Sequence, residues 1–151
     1  MPFDAGGLEI LGDDECLALL QSTPVGRIVF THQALPAVQP VNYALDGEDV
    51  IIRTSPGSKL AAALRNAVVA FEIDEYDAEE RTGWSVVLVG QARRVSEPAE
   101  LAGLRELDLW PWVPGDREEF IRISPRLRSG RRVLRPVETA GPAGRTGSSS
   151  R

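Results

Sequence analysis

The chain holds one lysine, one histidine and one cysteine in 151 residues. A lone Cys16 excludes an internal disulfide, and with His32 as the sole imidazole there is no Cys/His set for a structural zinc site. No apolar run approaches the roughly 18 residues that a membrane span requires. The opening stretch Met1–Gly7 is acidic and lacks the basic and apolar regions of a secretory signal. A cytoplasmic protein without membrane span or metal is therefore expected.

What is present is arginine and acid, unevenly spread. Residues 1–121 carry 21 acids against 9 bases, whereas 122–151 carry 1 acid against 8 bases. The net charge of -5 thus hides an acidic body and a basic end. Hydrophobic content of 42% is enough to build a core at this length. From Pro136 onward the residues are almost all Gly, Ala, Ser, Thr, Pro and Arg, which cannot supply one, so 136–151 is expected to be a disordered tail. The remaining division is an arm over 1–11 and a domain over 12–135.

Asp13-Asp14 before Glu15–Gln21 predicts a short helix capped by those aspartates, with Cys16, Leu17, Leu19 and Leu20 on its apolar side. β patterns follow at Val25–Thr31, Ala37–Leu45 and Asp49–Thr54, with a turn at His32–Pro36 and Asp46-Gly47 as a tight hairpin signal. Pro40 cannot donate to a ladder and places its strand at an edge, a bulge or a barrel corner. A helix is expected over Lys59–Asn66, strands over Val68–Tyr76 and Trp84–Val95, and a helix from Pro98 to Leu107. Two further strands are expected near Glu119–Ser124 and Gly130–Leu134. Six or seven strands with three short helices predict a mainly β, antiparallel barrel or sandwich, because helices do not alternate with every strand, and a small closed barrel fits.

The richest chemistry lies where Ile52-Arg53-Thr54 runs through Ser55-Pro56-Gly57 into Ser58-Lys59-Leu60. A two-pronged guanidinium, hydroxyl donors, an ammonium and a helix start are the parts of a phosphate site. It is not a P-loop, since Ile52 stands where that motif needs glycine. The competing reading is a hairpin-to-helix corner with surface charges.

These residues, together with Gln39-Pro40-Val41-Asn42-Tyr43, Val69–Asp74, Gly83-Trp84-Ser85-Val86, Val89–Ala92 and Ser129–Arg132, resemble the pyridoxamine 5′-phosphate oxidase-like, FMN-binding split-barrel family. The similarity is greatest to its small actinobacterial-type members and their nitroimidazole-reductase relatives. It implies a split β-barrel homodimer with two flavin sites at the subunit interface. It further implies that Arg53, Thr54, Ser58 and Lys59 hold the FMN phosphate and that Pro40, Val41 and Asn42 lie along the isoalloxazine edge. Trp84 and Ser85 are implied to come from the partner subunit. Hydride transfer then belongs to the cofactor, and no catalytic side chain is expected from the protein. The end of the domain has no histidine for the substrate clamp of the vitamin B6 oxidases, which points away from pyridoxamine phosphate and toward a flavin reductase. An F420-dependent reductase on the same fold and a non-enzymatic flavin- or haem-binding protein are the alternatives.

His32 reads as a solvated turn residue or a substrate-side donor, and Cys16 as a buried thiol. Trp110 and Trp112 either line a flavin-facing pocket or staple their loop. The acids of 72–80 read as a solvated rim. The arginines from 122 to 135 raise a nucleic-acid reading, opposed by the acidic body and the lack of lysine and aromatic interleaving. The expectation is instead that this basic segment meets the acidic rim across the dimer, with no nucleic acid involved.

Overall fold

In the computed structural model, which describes residues 2–110 and 119–134, seven strands form one antiparallel sheet that rolls shut. The elements run β1 (Glu9–Leu11), α1 (Asp13–Ser22), β2 (Val25–His32), β3 (Leu35–Asp46), β4 (Asp49–Thr54), α2 (Lys59–Ala63), β5 (Val68–Asp77), β6 (Thr82–Arg94), α3 (Pro98–Leu104) and β7 (Glu119–Val133). The order β1-β7-β4-β3-β2-β5-β6 is closed by a second pairing of β7 with β6. Six strands therefore make a barrel, and β1 of the arm adds to the far end of β7, Glu9 opposite Arg132. This is the mainly β split barrel that the family resemblance implied, and it decides for a barrel over a sandwich.

Alternation decides the interior. Val50 and Ile52 of β4, Phe71 and Ile73 of β5, Val86 and Leu88 of β6, and Ile121 and Ile123 of β7 bury their side chains together. Tyr43 and Phe71 meet edge to face at 4.8 Å. α1 adds Cys16 and Leu20 to this core, and α2 adds Leu60 and Leu64. On the outer face a second cluster of Ile51, Val95, Leu104, Leu109 and Phe120 seats α3 and the segment after it.

Several expectations change. Glu119–Ser124 and Gly130–Leu134 are parts of one strand, β7, which pairs with β6 from Arg94 to Gly83. Its break of pattern at 124–129 is absorbed by a register shift at Val89/Gly90 rather than by a turn. Gly90 is required there, because a Cβ would lie 2.1 Å from the Ser124 carbonyl oxygen. α1 is capped by Gly12 without a side-chain bond, and Asp13, Asp14 and Glu15 occupy its first turn, where they complement the helix dipole instead. α2 stops at Ala63 and α3 at Leu104, both shorter than the periodicity suggested. Asn66, with φ of 55°, lies in the left-handed region just beyond α2 and prevents its continuation.

The basic segment already finds partners within one protomer. Arg122, Arg128, Arg131 and Arg132 pair with Asp46, Asp49, Glu100, Glu48, Asp4, Glu9 and Glu15 of their own chain. Of the acidic rim at 72–80, Glu72 and Asp74 share Arg27 Nη1 at 2.9 and 3.0 Å. Antiparallel return of β7 past the β3–β4 hairpin and the arm brings those nearer carboxylates into reach. Arg135 and the tail lie outside the described residues.

Candidate functional site

β4 ends at Thr54, and Ser55-Pro56-Gly57 turns the chain, with Gly57 at φ +85°, a conformation that suits glycine. Ser58 then caps α2, its Oγ accepting from the Ala61 N–H at 3.0 Å. Thr54 Oγ1 lies 3.2 Å from Ser58 Oγ, so the two expected hydroxyls stand together. Lys59, the first residue of α2, is exposed beside them. Because α2 has only five residues, its dipole is weak, and side chains carry most of the corner's attraction for an anion.

Arg53 leaves β4 on the opposite face from Thr54. Its guanidinium lies 5.8 Å from the Phe120 ring centroid, and Nη1 donates to the Leu109 carbonyl at 3.0 Å. The register that pairs Tyr43 with Ile52 sets Asn42 opposite Arg53, one step beyond the last pair of β3 with β4. Asn42 Nδ2 donates to the next carbonyl of the same segment, that of Trp110, at 2.8 Å. Two residues from two strands thus grip consecutive carbonyls of 109–110.

Where β4 turns away, residues 35–42 of β3 pair, among the described residues, only with β2. The Tyr43 N–H donates to Pro24 O across β2, so odd residues of β3 direct their backbone groups to β2 and even residues to the open edge. Pro36 and Pro40 are both even. The open edge therefore presents four carbonyls, at 36, 38, 40 and 42, but N–H groups only at Val38 and Asn42. The two prolines thus discourage strand addition along this edge.

The expected site residues divide accordingly. Thr54, Ser58 and Lys59 stand together at the β4–α2 corner, while Arg53 and Asn42 meet the 109–110 segment on the other face and Pro40 lies further along β3. Val41 does not join them with its side chain, which is 4% exposed inside the barrel, because it has the parity of the core-facing residues. Trp84 and Ser85 pair with Arg132 and Arg131, twelve residues along β7 from the Phe120 that pairs with Arg53. Within one protomer they stand far from the corner. His32 ends β2 in the hairpin turn, Cys16 is 1% exposed with its thiol pKa raised by burial, and Trp112 lies outside the described residues. Sequence reading missed Phe120 and the 109–110 carbonyls as supports of Arg53; apolar alternation at Glu119–Ile123 was the available signal, but the partner strand was not.

One charged group on the barrel's outer face is perturbed. Burial lifts the Glu72 carboxyl to about 7, Asp74 beside it adds to the rise, and the shared Arg27 does not offset them. The folded state then keeps a proton up to about pH 7 that the unfolded chain releases near the ordinary 4.5, so stability should fall as pH rises between those values. Thermal melts across that range should show the decline, and Glu72→Gln should flatten it. An equal slope in the variant would remove Glu72 as its source.

A closed antiparallel barrel of six strands, with a seventh added to β7 and only three short helices, defines a split-barrel protein. The family model described as pyridoxamine 5′-phosphate oxidase matches residues 12–132, and the chain belongs to that family. Among its relatives, the uncharacterized protein Rv0080 of Mycobacterium tuberculosis is 40% identical over 134 residues, covering 85% of this chain and 88% of the relative. A solved structure described as the FAD binding protein from Mycobacterium smegmatis is 38% identical with a TM-score of 0.73, covering 83% of this chain and 99% of that one. A Mesorhizobium loti structure described as a FAD-binding protein is 26% identical with a TM-score of 0.72, covering 83% and 98%.

Proposed function

We propose that the chain binds a flavin nucleotide at the β4–α2 corner and acts as a cytoplasmic oxidoreductase. The observation that carries this reading is the meeting of the Thr54 and Ser58 hydroxyls at 3.2 Å at the start of α2, next to the exposed Lys59, with Arg53 on the other face of the same strand end. Arg53, Thr54, Ser58 and Lys59 suit a phosphate, and the edge at Val38–Asn42 suits the donors and acceptors of a planar ring. When bound, a flavin supplies hydride transfer, so the protein's part is to bind, orient and shield it. FMN and FAD share the riboflavin phosphate that this corner would hold. The two relatives described as FAD-binding favour FAD over FMN, with F420 a third ligand of similar shape. The absorption spectrum of the purified protein, with FMN, FAD and F420 titrations, tests the reading. Flavin bands or micromolar binding are expected; no binding of any of the three would overturn it.

A homodimer completes this proposal. The outer face carries one apolar residue per strand in register across five strands: Val38, Val29, Ala70, Val89 and Leu127. Val38 and Leu127, at its two ends, are 62% and 66% exposed, more apolar surface than a lone protomer needs to show. Ser85 shares the outward parity of Val89, so a second copy on this face would bring that strand toward the partner's corner. Leu127→Asp is expected to shift the protein to monomer in sedimentation equilibrium and to weaken flavin binding with it. An unchanged mass would count against this face.

A further inference from the structure

Trp110 is left over by the fold. Leu109 beside it is 3% exposed and seats the segment in the outer cluster, so the indole is not needed as a staple, and it remains 69% exposed. Yet it is held: its Nε1 donates to Asp108 Oδ1 at 2.9 Å, and its carbonyl is gripped by Asn42. The carbonyl before it is gripped by Arg53. A large aromatic face kept in water and fixed in orientation has the properties of a stacking platform for a base.

We propose that Trp110 stacks the adenine of FAD and so selects FAD over FMN. The inference rests on the flavin reading above. FMN ends at the phosphate that Arg53 would bind, whereas FAD continues past it through a second phosphate to adenosine. The segment tied to Arg53 is the one that carries the fixed indole. Its attachment to Arg53 and Asn42 keeps the platform in register with the phosphate end of the site, which lowers the ordering cost of the extended ligand.

The test compares FMN and FAD dissociation constants, read by flavin fluorescence, for the full chain and its variants. The wild type is expected to bind FAD about tenfold more tightly than FMN, the scale of one base–aromatic stack. Trp110→Ala should erase that preference and leave FMN affinity within about twofold, and Trp110→Phe should restore most of it. Asp108→Ala, which frees the indole to turn, should lose part of the preference without truncating the aromatic. FAD and FMN weakened alike, or FAD unchanged in Trp110→Ala, would overturn the inference alone. A wild type that binds neither flavin would overturn the flavin reading itself.

Discussion

Arg122→Ala is expected to lower unfolding free energy by about 3 kcal/mol, the lower end of the cost of breaking a buried ion pair. Arg122 is 9% exposed and distributes three nitrogens over three carboxylates: Nε to Glu100 at 2.8 Å, Nη1 to Asp49 at 2.9 Å and Nη2 to Asp46 at 2.7 Å. Burial by itself disfavours its charged form, but the three carboxylates outweigh that and raise its pKa above the ordinary arginine value. The bonds tie the β3–β4 hairpin and α3 to β7. Truncation would leave Asp49, 30% exposed, without its Arg122 partner and Glu100, 19% exposed, with Arg93 alone, which holds it through two bonds at 3.1 and 2.7 Å. Asp46 is half exposed and water would take over much of its share, which is why the lower figure applies. Arg122→Lys should recover less than half, since one ammonium cannot serve three diverging acceptors. Urea unfolding at neutral pH measures this, with a Tm lower by about 10 °C as the thermal counterpart. An unchanged midpoint in Arg122→Ala would show that the network contributes nothing net.

The Arg53→Ala and Lys59→Ala pair is expected to reduce flavin affinity by a hundredfold or more, each change contributing about tenfold, as for a charge-assisted hydrogen bond to phosphate. The two should part company in stability. Arg53 supports the 109–110 segment and covers Phe120, so its loss should also lower the melting temperature, whereas the exposed Lys59 should not affect it. Binding should weaken with added salt in the wild type and less steeply in Lys59→Ala, because a surface ammonium is screened. Lys59→Ala binding flavin as tightly as the wild type would move the phosphate away from this corner.

Much of this was legible in residue order. Period-two alternation in Asp49–Thr54 and Val68–Tyr76 marked strands, Asp46-Gly47 marked the hairpin between β3 and β4, and Ser55-Pro56-Gly57-Ser58 marked the corner where Thr54, Ser58 and Lys59 meet. These are local signals, read over a few residues, and local geometry suffices to express them. The long β7 was legible only in part, because a register shift opposite Gly90 looks in sequence like a break between two strands.

Sequence by itself therefore determined the strand content, the family and the chemistry of the corner, since side-chain type and spacing are intrinsic to the chain. Tertiary structure alone decided that residues 35–42 of β3 pair, among the described residues, only with β2, that Asn42 and Arg53 hold one backbone segment, and that Arg122 finds its acids at 46, 49 and 100. Each of these depends on which strand lies beside which and in what register. That is a long-range outcome of burying one face of every strand in a common core, and no window of neighbouring residues contains it.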